Sequence, residues 1–269
     1  MNQIKSNLTI EDTHKSNSVK SVDKALSIID SLSDFDELSL GDISQIMKLD
    51  KATSHRLIGT LKNAGYIDQN PLNKKYSLSY KLFEIGNKII DKKGLRKIAE
   101  PFIEDCSRQV GETVNLGIRN KGNIIYIDKI ESHETIKVGL HIGKKIPLYC
   151  TGLGKVILAF YSKEEFDGII TSSDFIMFTK HTVKDKDQLE SQLKRIREDG
   201  YFIDNEEYID GLVCIAAPIF DHQRHPIAAI SISVPKYRYD TKENKEEYTE
   251  LITETAKKIS EKFGYKSKI

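Results

Sequence analysis

The pattern of apolar and polar positions divides the first third of the chain into short helical segments. Five apolar residues recur three or four positions apart, namely Val22, Ala25, Leu26, Ile29 and Leu32. This spacing predicts an amphipathic helix over about 19–33. After a polar break, Ser39 and Asp42 have the spacing of a capping box and predict the start of a second, short helix. Its buried face is predicted to carry Ile43, Ile46 and Met47.

A third helix is predicted from Lys51 to Ala64, with Asp50 as its N-cap and Gly65 just beyond its end. Its predicted buried face consists of Leu57, Leu61 and Ala64. Its outward face carries Lys51, His55, Gly59 and Lys62, with Arg56 at the margin. Thr53 and Ser54 lie in the first turn, near free backbone N–H groups. A buried stripe opposite a row of outward donors is typical of a DNA-recognition helix.

Two short strands follow the third helix and predict a β-hairpin. Tyr66-Ile67 and Tyr76–Leu78 flank the polar turn NPLNKK, so Lys74 and Lys75 lie near its tip. Three helices followed by a hairpin form a winged helix-turn-helix, and lysines at the tip can reach phosphates beside the groove. Some winged helices bind proteins instead, so the pattern alone leaves both kinds of partner open.

Beyond about residue 94 strands and helices are mixed. Alternation predicts strands over 114–118, 125–127, 136–140, 212–220 and 227–234. Helices are predicted over 95–110, 152–161, 162–170 and 186–199, and a last one closes the chain. This order predicts an α+β domain with a largely antiparallel sheet. We expect an N-terminal tail (1–17), a winged helix-turn-helix (18–80), a linker helix (81–95) and a second domain (96–269).

The linker helix has apolar positions that need a partner: Leu82, Phe83, Ile85, Ile89 and Ile90. Periodicity alone allows the helix to pack either within its own chain or against a second subunit. The second arrangement suits DNA binding, because reading two half-sites requires two recognition helices about one DNA turn apart.

Composition indicates a soluble cytoplasmic protein without a membrane partner. The chain has 269 residues, of which 39% are hydrophobic and 30% charged. Its longest apolar stretch, Leu212 to Phe220, is far shorter than the roughly 20 residues of a membrane span. The first 17 residues have no apolar core of a secretory signal. The three cysteines form no C-x-x-C pair and are expected to be reduced thiols.

Charge is unevenly distributed along a chain whose net charge is only +1. Between residues 48 and 81 seven basic residues and two acidic ones give a local charge of +5. Such a cluster is a candidate phosphate-facing surface, although an ordinary solvated face has the same composition. The histidines include one close pair, His222 and His225, but two ligands do not make a zinc site.

Several blocks of sequence resemble the IclR-type bacterial transcription regulators. The blocks are LSLGDISQIMKLDKATSHRLIGTLKNAGYI, YSLSYKLFEIG, IPLYCTGLGKVILA, GYFIDNEEYIDGLVCIAAPIFD and AAISISVP. They follow the family's order from Val19 to Gly264. Within the family, KLFEIG, DNEE and AAISISVP look most similar to the KdgR-type repressors, which respond to 2-keto-3-deoxygluconate. Lys48 and Asp50 stand where the family often has glycine and proline, which bears on the DNA sequence preference.

The resemblance implies a homodimeric or homotetrameric repressor that binds double-stranded operator DNA. It implies a GAF-like effector domain for a small carboxylate, such as a 2-keto acid, with no enzymatic activity, cofactor or metal. The DNA-binding residues expected from the helix pattern and the hairpin are Lys51, Thr53, Ser54, His55, Arg56, Lys74 and Lys75.

The effector site that the resemblance implies uses the backbone amides of Gly152 and Leu153 and four side chains: Asp204, Cys214, Ser231 and Ser233. The two serines are two positions apart on one strand, so they face the same side. From residue type alone, Cys214 would be interpreted as a small core residue, and the two serines would be interpreted as solvent-facing. The helix start at Gly152 is not a nucleotide-binding P-loop, because Val156 follows Lys155.

Two alternatives centre on Cys214. The chain could be an enzyme acting on a small keto acid, with Cys214 as nucleophile assisted by Asp204 and a histidine such as His141. It could also be a thiol redox sensor, which needs a cation that stabilises the thiolate. The residues that flank Cys214 in the sequence are apolar.

Overall fold

The computed structural model describes residues 19–134, 140–171, 175–240 and 242–266. The chain divides into two compact units, Met1–Ile89 (unit 1) and Ile90–Ile269 (unit 2). The expected tail over 1–17 lies outside the described residues, as does most of the strand expected over 136–140. In the described part of the chain, no helix has the length and apolarity required to cross a bilayer.

Unit 1 has the predicted three helices and hairpin. Its elements are α1 (Lys20–Leu32), α2 (Leu40–Ile46), α3 (Lys51–Asn63), β1 (Ile67–Gln69) and β2 (Tyr76–Leu78), and the two strands are antiparallel. Their core includes Ile28, Leu32, Ile43, Ile58 and Ile67. The predicted burial of two residues is wrong, because Ile46 is 44% exposed and Ala64 lies on the surface.

The predicted helix caps of unit 1 are confirmed. Ser39 and Asp42 form a reciprocal capping box at the start of α2. Asp50 accepts the Thr53 N–H at 2.8 Å and caps α3. Gly65, after the end of α3, has a φ of +79°, which favours glycine. The pattern did not predict that Leu38 pairs with Tyr76 beside the hairpin.

The remaining elements begin with a helix that crosses the boundary between the units. They are α4 (Tyr80–Lys93), α5 (Leu95–Val110), β3 (Thr113–Asn120), β4 (Asn123–Ile130), β5 (Lys145–Pro147), α6 (Gly152–Leu158), α7 (Lys163–Ile169), α8 (Lys186–Asp199), β6 (Phe202–Asn205), β7 (Leu212–Phe220), β8 (Pro226–Pro235), α9 (Lys236–Tyr239) and α10 (Lys242–Lys262). The predicted helices over 95–110 and 186–199 are confirmed, and Ser162 and Glu165 form a reciprocal capping box at the start of α7. The short elements β5, β6 and α9 were not predicted.

Unit 2 is built on a six-stranded sheet in the order β5-β4-β3-β8-β7-β6, and each adjacent pair is antiparallel. The predicted α+β class with an antiparallel sheet is therefore confirmed. Val114 and Leu116 share a core with residues of α5 and α10. On the other face, Gly117 lies close to Leu153 of α6. Because side chains alternate along a strand, Thr113 and Asn115 also belong to the face that α6 covers.

Candidate functional site

The outward face of α3 presents most of the donors predicted for it. Lys51, His55 and Arg56 are exposed and Thr53 is half-buried. Ser54 differs from the prediction, because its side chain is completely buried. Its hydroxyl has no hydrogen-bond partner in the described part of the chain. Ser54 therefore belongs to the packed side of the helix and not to the candidate DNA-contacting set.

The hairpin turn places Lys74 and Lys75 on the surface, as expected. Two asparagines hold this turn against Glu37, a residue that the pattern did not single out. Asn70 and Asn73 donate to the two Glu37 carboxylate oxygens at 2.9 and 2.8 Å. These hydrogen bonds lower the Glu37 pKa. The hairpin tip is thus oriented by side-chain contacts with the segment before α2.

Two lysines of the basic cluster are engaged within unit 1. Lys62 donates to Gln69 Oε1 at 2.8 Å. Lys81 donates to the Ala64 carbonyl at the end of α3, and its Nζ lies 4.5 Å from the centroid of the Tyr66 ring. By contrast, in the described part of the chain no hydrogen bond or ion pair engages the Lys51 or Arg56 side chains.

The second candidate site lies on the face of the unit 2 sheet that α6 covers. Asp204, Cys214 and Ser233 are direct cross-strand neighbours on β6, β7 and β8. Ser231 is two residues from Ser233 on the same face of β8. Four residues from three strands are therefore brought together, and both serines are buried instead of solvent-facing.

Short contacts connect these side chains. Cys214 Sγ lies 3.2 Å from Ser233 Oγ. Asn115 of β3, which the sequence analysis did not identify, donates from Nδ2 to Ser233 Oγ at 3.0 Å and to Ser231 Oγ at 3.5 Å. A polar residue between the apolar Val114 and Leu116 is the signal that could have revealed it, since alternation places it on the other face.

Asp204 bridges β6, the turn after it and the start of α6. Its Oδ2 accepts the Gly152 N–H at 3.1 Å, and its Oδ1 accepts the Glu207 N–H at 2.9 Å. Burial, reinforced by the Glu207 carboxylate, raises the pKa of Asp204 to about 7. The Gly152 amide was expected to be free for a ligand. That expectation is wrong for this conformation, because Asp204 occupies the amide.

The other two backbone N–H groups at the start of α6 differ in whether they have a hydrogen-bond acceptor. The Gly154 N–H donates to the Thr151 side chain at 3.1 Å. The Leu153 N–H has no hydrogen-bond partner among the residues that the structure describes. Of the two predicted amide donors, only that of Leu153 is available.

A narrow cavity lies at this point of the sheet. Five of the predicted residues line it, namely Gly152, Leu153, Asp204, Cys214 and Ser231. Tyr126, Thr151 and Tyr208 line it as well and were not predicted. Its free space of about 20 Å³ holds little more than one water molecule. A larger ligand therefore requires lining side chains to move.

A buried ion pair adjoins Asp204 through Glu207, whose backbone N–H donates to Asp204. Lys155 of α6 is completely buried and pairs with Glu207. Its Nζ also donates to Gln192 Oε1 at 2.7 Å and lies 4.8 Å from the centroid of the Phe202 ring. Burial lowers the pKa of Lys155, and the Glu207 carboxylate opposes this shift. A lysine inside the otherwise apolar segment GLGKVIL was the available signal for this pair.

The environment of Cys214 favours neither the enzyme nor the redox alternative. Burial raises the pKa of its thiol to about 12, and Asp204 adds to this shift. Nucleophilic and oxidation-sensitive cysteines instead need a stabilised thiolate. The proposed assistant His141 lies on the surface. No group of three metal-ligating side chains that could hold a metal ion occurs in the described ranges. His222 and His225 line a separate open cleft.

Comparisons with known sequences match both units. The profile described as "Bacterial transcriptional regulator IclR C-terminal" matches residues 87–261, and "IclR helix-turn-helix domain" matches residues 21–71. The transcriptional regulator KdgR of Dickeya chrysanthemi is 36% identical over 98% of this chain and 87% of its own. Escherichia coli KdgR is also 36% identical, over 92% of this chain and 94% of its own.

Solved structures match the same fold. The crystal structure of the Thermotoga maritima IclR superposes with a TM-score of 0.77 at 32% identity. The superposition covers 91% of this chain and 99% of the T. maritima chain. The C-terminal domain of E. coli KdgR is 37% identical with a TM-score of 0.58, over 64% of this chain and 99% of that one.

Proposed function

The chain belongs to the IclR family of bacterial transcriptional regulators, and on that premise we propose that it is a repressor whose binding to operator DNA responds to a small carboxylic acid. The observation that carries the effector part is the group formed by the buried Asp204, Ser231 and Ser233 and the half-buried Cys214 at the cavity beside α6. Buried polar side chains around a cavity are typical of small-molecule sites. The likeness to the KdgR regulators favours a 2-keto sugar acid.

For DNA, the proposal is that α3 enters the major groove and the hairpin turn contacts the flanking backbone. Lys51, Thr53, His55 and Arg56 would face the bases and phosphates, and Lys74 and Lys75 would reach phosphates beside the groove. The exposure of the lysines, His55 and Arg56 supports this assignment, and Thr53 is half-buried beside them.

Lys51→Ala and Arg56→Ala are each expected to weaken operator binding while the effector response and the fold stay intact. A lost phosphate contact should reduce the salt slope of log K by about 0.9, whereas a lost base contact should relax sequence preference. Fluorescence anisotropy over a salt series measures both effects. Lys97→Ala, an exposed lysine of α5, is the charge-matched control. Operator affinity that is unchanged in both α3 variants would show that another surface contacts DNA.

For the effector, the proposal is that the Ser231 and Ser233 hydroxyls and the Leu153 N–H hold its carboxylate. Asp204 would accept from hydroxyl groups of the ligand. Because its pKa is raised to about 7, Asp204 is readily protonated near neutral pH, which reduces its repulsion of an anion. The cavity must widen, so binding selects a different arrangement of the lining side chains. Such a difference between two states allows an effector to alter DNA affinity.

A thermal-shift screen of carboxylic acids tests this function directly. A ligand at about 100 times its Kd should add roughly 2.7 kcal/mol to the free energy of unfolding. The acids that stabilise the protein are then tested for release of operator DNA. If none of a broad set of 2-keto, hydroxy and aromatic acids shifts the transition, the carboxylate-effector proposal is wrong.

The Ser231→Ala/Ser233→Ala double variant is expected to bind the identified acid at least about tenfold more weakly, because hydrogen bonds to charged groups contribute about 1.5–3 kcal/mol each. It should also need correspondingly more acid to change operator binding. Calorimetric titration measures the first effect and anisotropy the second. A folded double variant with wild-type affinity would contradict the assignment of the serines.

We also expect a dimer or tetramer in solution. Phe83 and Ile85 of α4 are 65% and 37% exposed in the single chain, which leaves apolar surface for a second subunit. Light scattering at micromolar concentration should therefore give a multiple of 30.6 kDa. A monodisperse monomer would contradict the expectation.

A further inference from the structure

Asn115 is a buried polar residue of β3 that belongs to none of the effector-binding sets proposed above. It is 1% exposed and lies directly across from Ser231 in the pairing of β3 with β8. Its Nδ2 donates to the oxygens of both serines. Its Oδ1 is buried and has no hydrogen-bond partner in the described part of the chain. Buried side-chain oxygens rarely lack a donor, so this one needs an explanation.

The orientation of the Asn115 amide determines what the serines can do. Because Ser231 and Ser233 accept from Nδ2, their hydroxyl hydrogens are available to an external acceptor. The Cys214 thiol can donate to the second lone pair of Ser233 Oγ, at 3.2 Å from its Sγ. If the amide were turned over, Oδ1 would accept from both serines and no serine donor would remain for a carboxylate. The observed orientation therefore fits an anion at the serines and leaves Oδ1 as an acceptor beside it.

We propose that Asn115 is a specificity-determining residue of the effector site, and that its Oδ1 accepts a hydrogen bond from a hydroxyl group of the ligand. The inference rests on the proposed carboxylate site. The serine hydroxyls hold the carboxylate, and Asn115 distinguishes acids that carry a nearby hydroxyl from acids that lack it. The ligand class is thus a small hydroxy-carboxylic acid.

The test uses pairs of acids that differ by one hydroxyl, namely lactate with propanoate and glycerate with lactate. Calorimetric titration of the full-length protein gives the affinity ratio within each pair. The wild type should prefer the hydroxylated acid. Asn115→Ala should lower this preference by about three- to tenfold, the effect of one neutral hydrogen bond, with the larger loss on the hydroxylated acid.

Asn115→Asp gives a second, independent readout. The introduced carboxylate accepts from both serine hydroxyls and repels an anionic ligand, so the affinity for both acids of each pair should fall. Thr113→Val is the matched control. Thr113 is equally buried on the same face of β3, but its hydroxyl accepts the Ser132 N–H at 3.1 Å. This variant should lose stability without changing the affinity ratio.

The outcomes separate this inference from the proposed function. If the acids bind but the wild-type affinity ratio is close to one, or if Asn115→Ala keeps the wild-type ratio, the role of Asn115 is overturned and the carboxylate site stands. Wild-type affinities in Asn115→Asp also overturn that role, and this variant decides the matter if Asn115→Ala does not fold. If neither these acids nor the broader screen yields a ligand, the proposed function fails, and the inference fails with it.

Discussion

Gly154→Ala is expected to destabilise unit 2 by at least about 3 kcal/mol, the upper range for overpacking a rigid core. A Cβ at this position would lie 2.2 Å from the carbonyl oxygen and 2.5 Å from the Cα of Leu148. Both are backbone atoms of the buried turn before α6, so no side-chain rotation relieves the clash. Either the turn or α6 must move. Both segments carry residues that line the candidate effector site, and α6 also carries Lys155 of the buried ion pair with Glu207.

Urea unfolding of the full-length protein measures this effect. Gly168→Ala is the matched control, because Gly168 lies in α7 and a Cβ added there would meet no described atom within 4 Å beyond its own helical turns. There the substitution should be neutral or stabilising by up to about 1 kcal/mol, since alanine is the better helix former. Equal unfolding midpoints for the two variants would contradict the close packing of Gly154 on Leu148.

Lys155→Met is expected to cost about 3–5 kcal/mol, because removing one partner of a buried ion pair leaves the other charge uncompensated. Glu207 is 4% exposed, and apart from Lys155 its carboxylate accepts only the Val183 N–H, at 3.3 Å, among the described residues. The double variant Lys155→Met/Glu207→Gln removes both charges and should recover most of the loss. The result would separate the cost of an unpaired charge from the cost of altered packing.

A double-mutant cycle from urea unfolding gives the coupling between the two positions. Lys258→Met is the surface control, because Lys258 and Glu254 pair at 2.9 Å while both remain exposed. Such a pair contributes between zero and about 1 kcal/mol. If the double variant is as unstable as Lys155→Met alone, the loss comes from packing of the lysine chain and the charge argument is wrong.

The sequence was most informative where structure depends on residues a few positions apart. The capping boxes at Ser39 and Ser162, the Asp50 cap of α3 and the positive φ of Gly65 are contacts or conformations within one helical turn. The alternation of β3, β7 and β8 likewise showed which residues share a face. The α+β class follows from the order of these local elements, and the family from blocks of sequence.

Local pattern was insufficient where the neighbour comes from elsewhere in the chain. Ile46 and Ser54 lie near the margins of helical faces, and tertiary packing left the isoleucine exposed and buried the serine. Position 115 is polar by sequence, but its contacts with Ser231 and Ser233 exist only because β3 pairs with β8. Lys155 meets Glu207 across 52 residues of sequence.

The sequence by itself therefore determined the helices and their caps, the alternation of the strands and the identity of the polar residues that alternation puts on one face. The tertiary structure decided whether that face meets solvent or another helix. Period-two alternation states which side chains point the same way, but it carries no information about what covers them. Because α6 covers this face of the sheet, Cys214 and Ser231 line a narrow cavity, and Asn115 and Ser233 are in contact with them. For the same reason Asp204 occupies the Gly152 amide that was expected to be free.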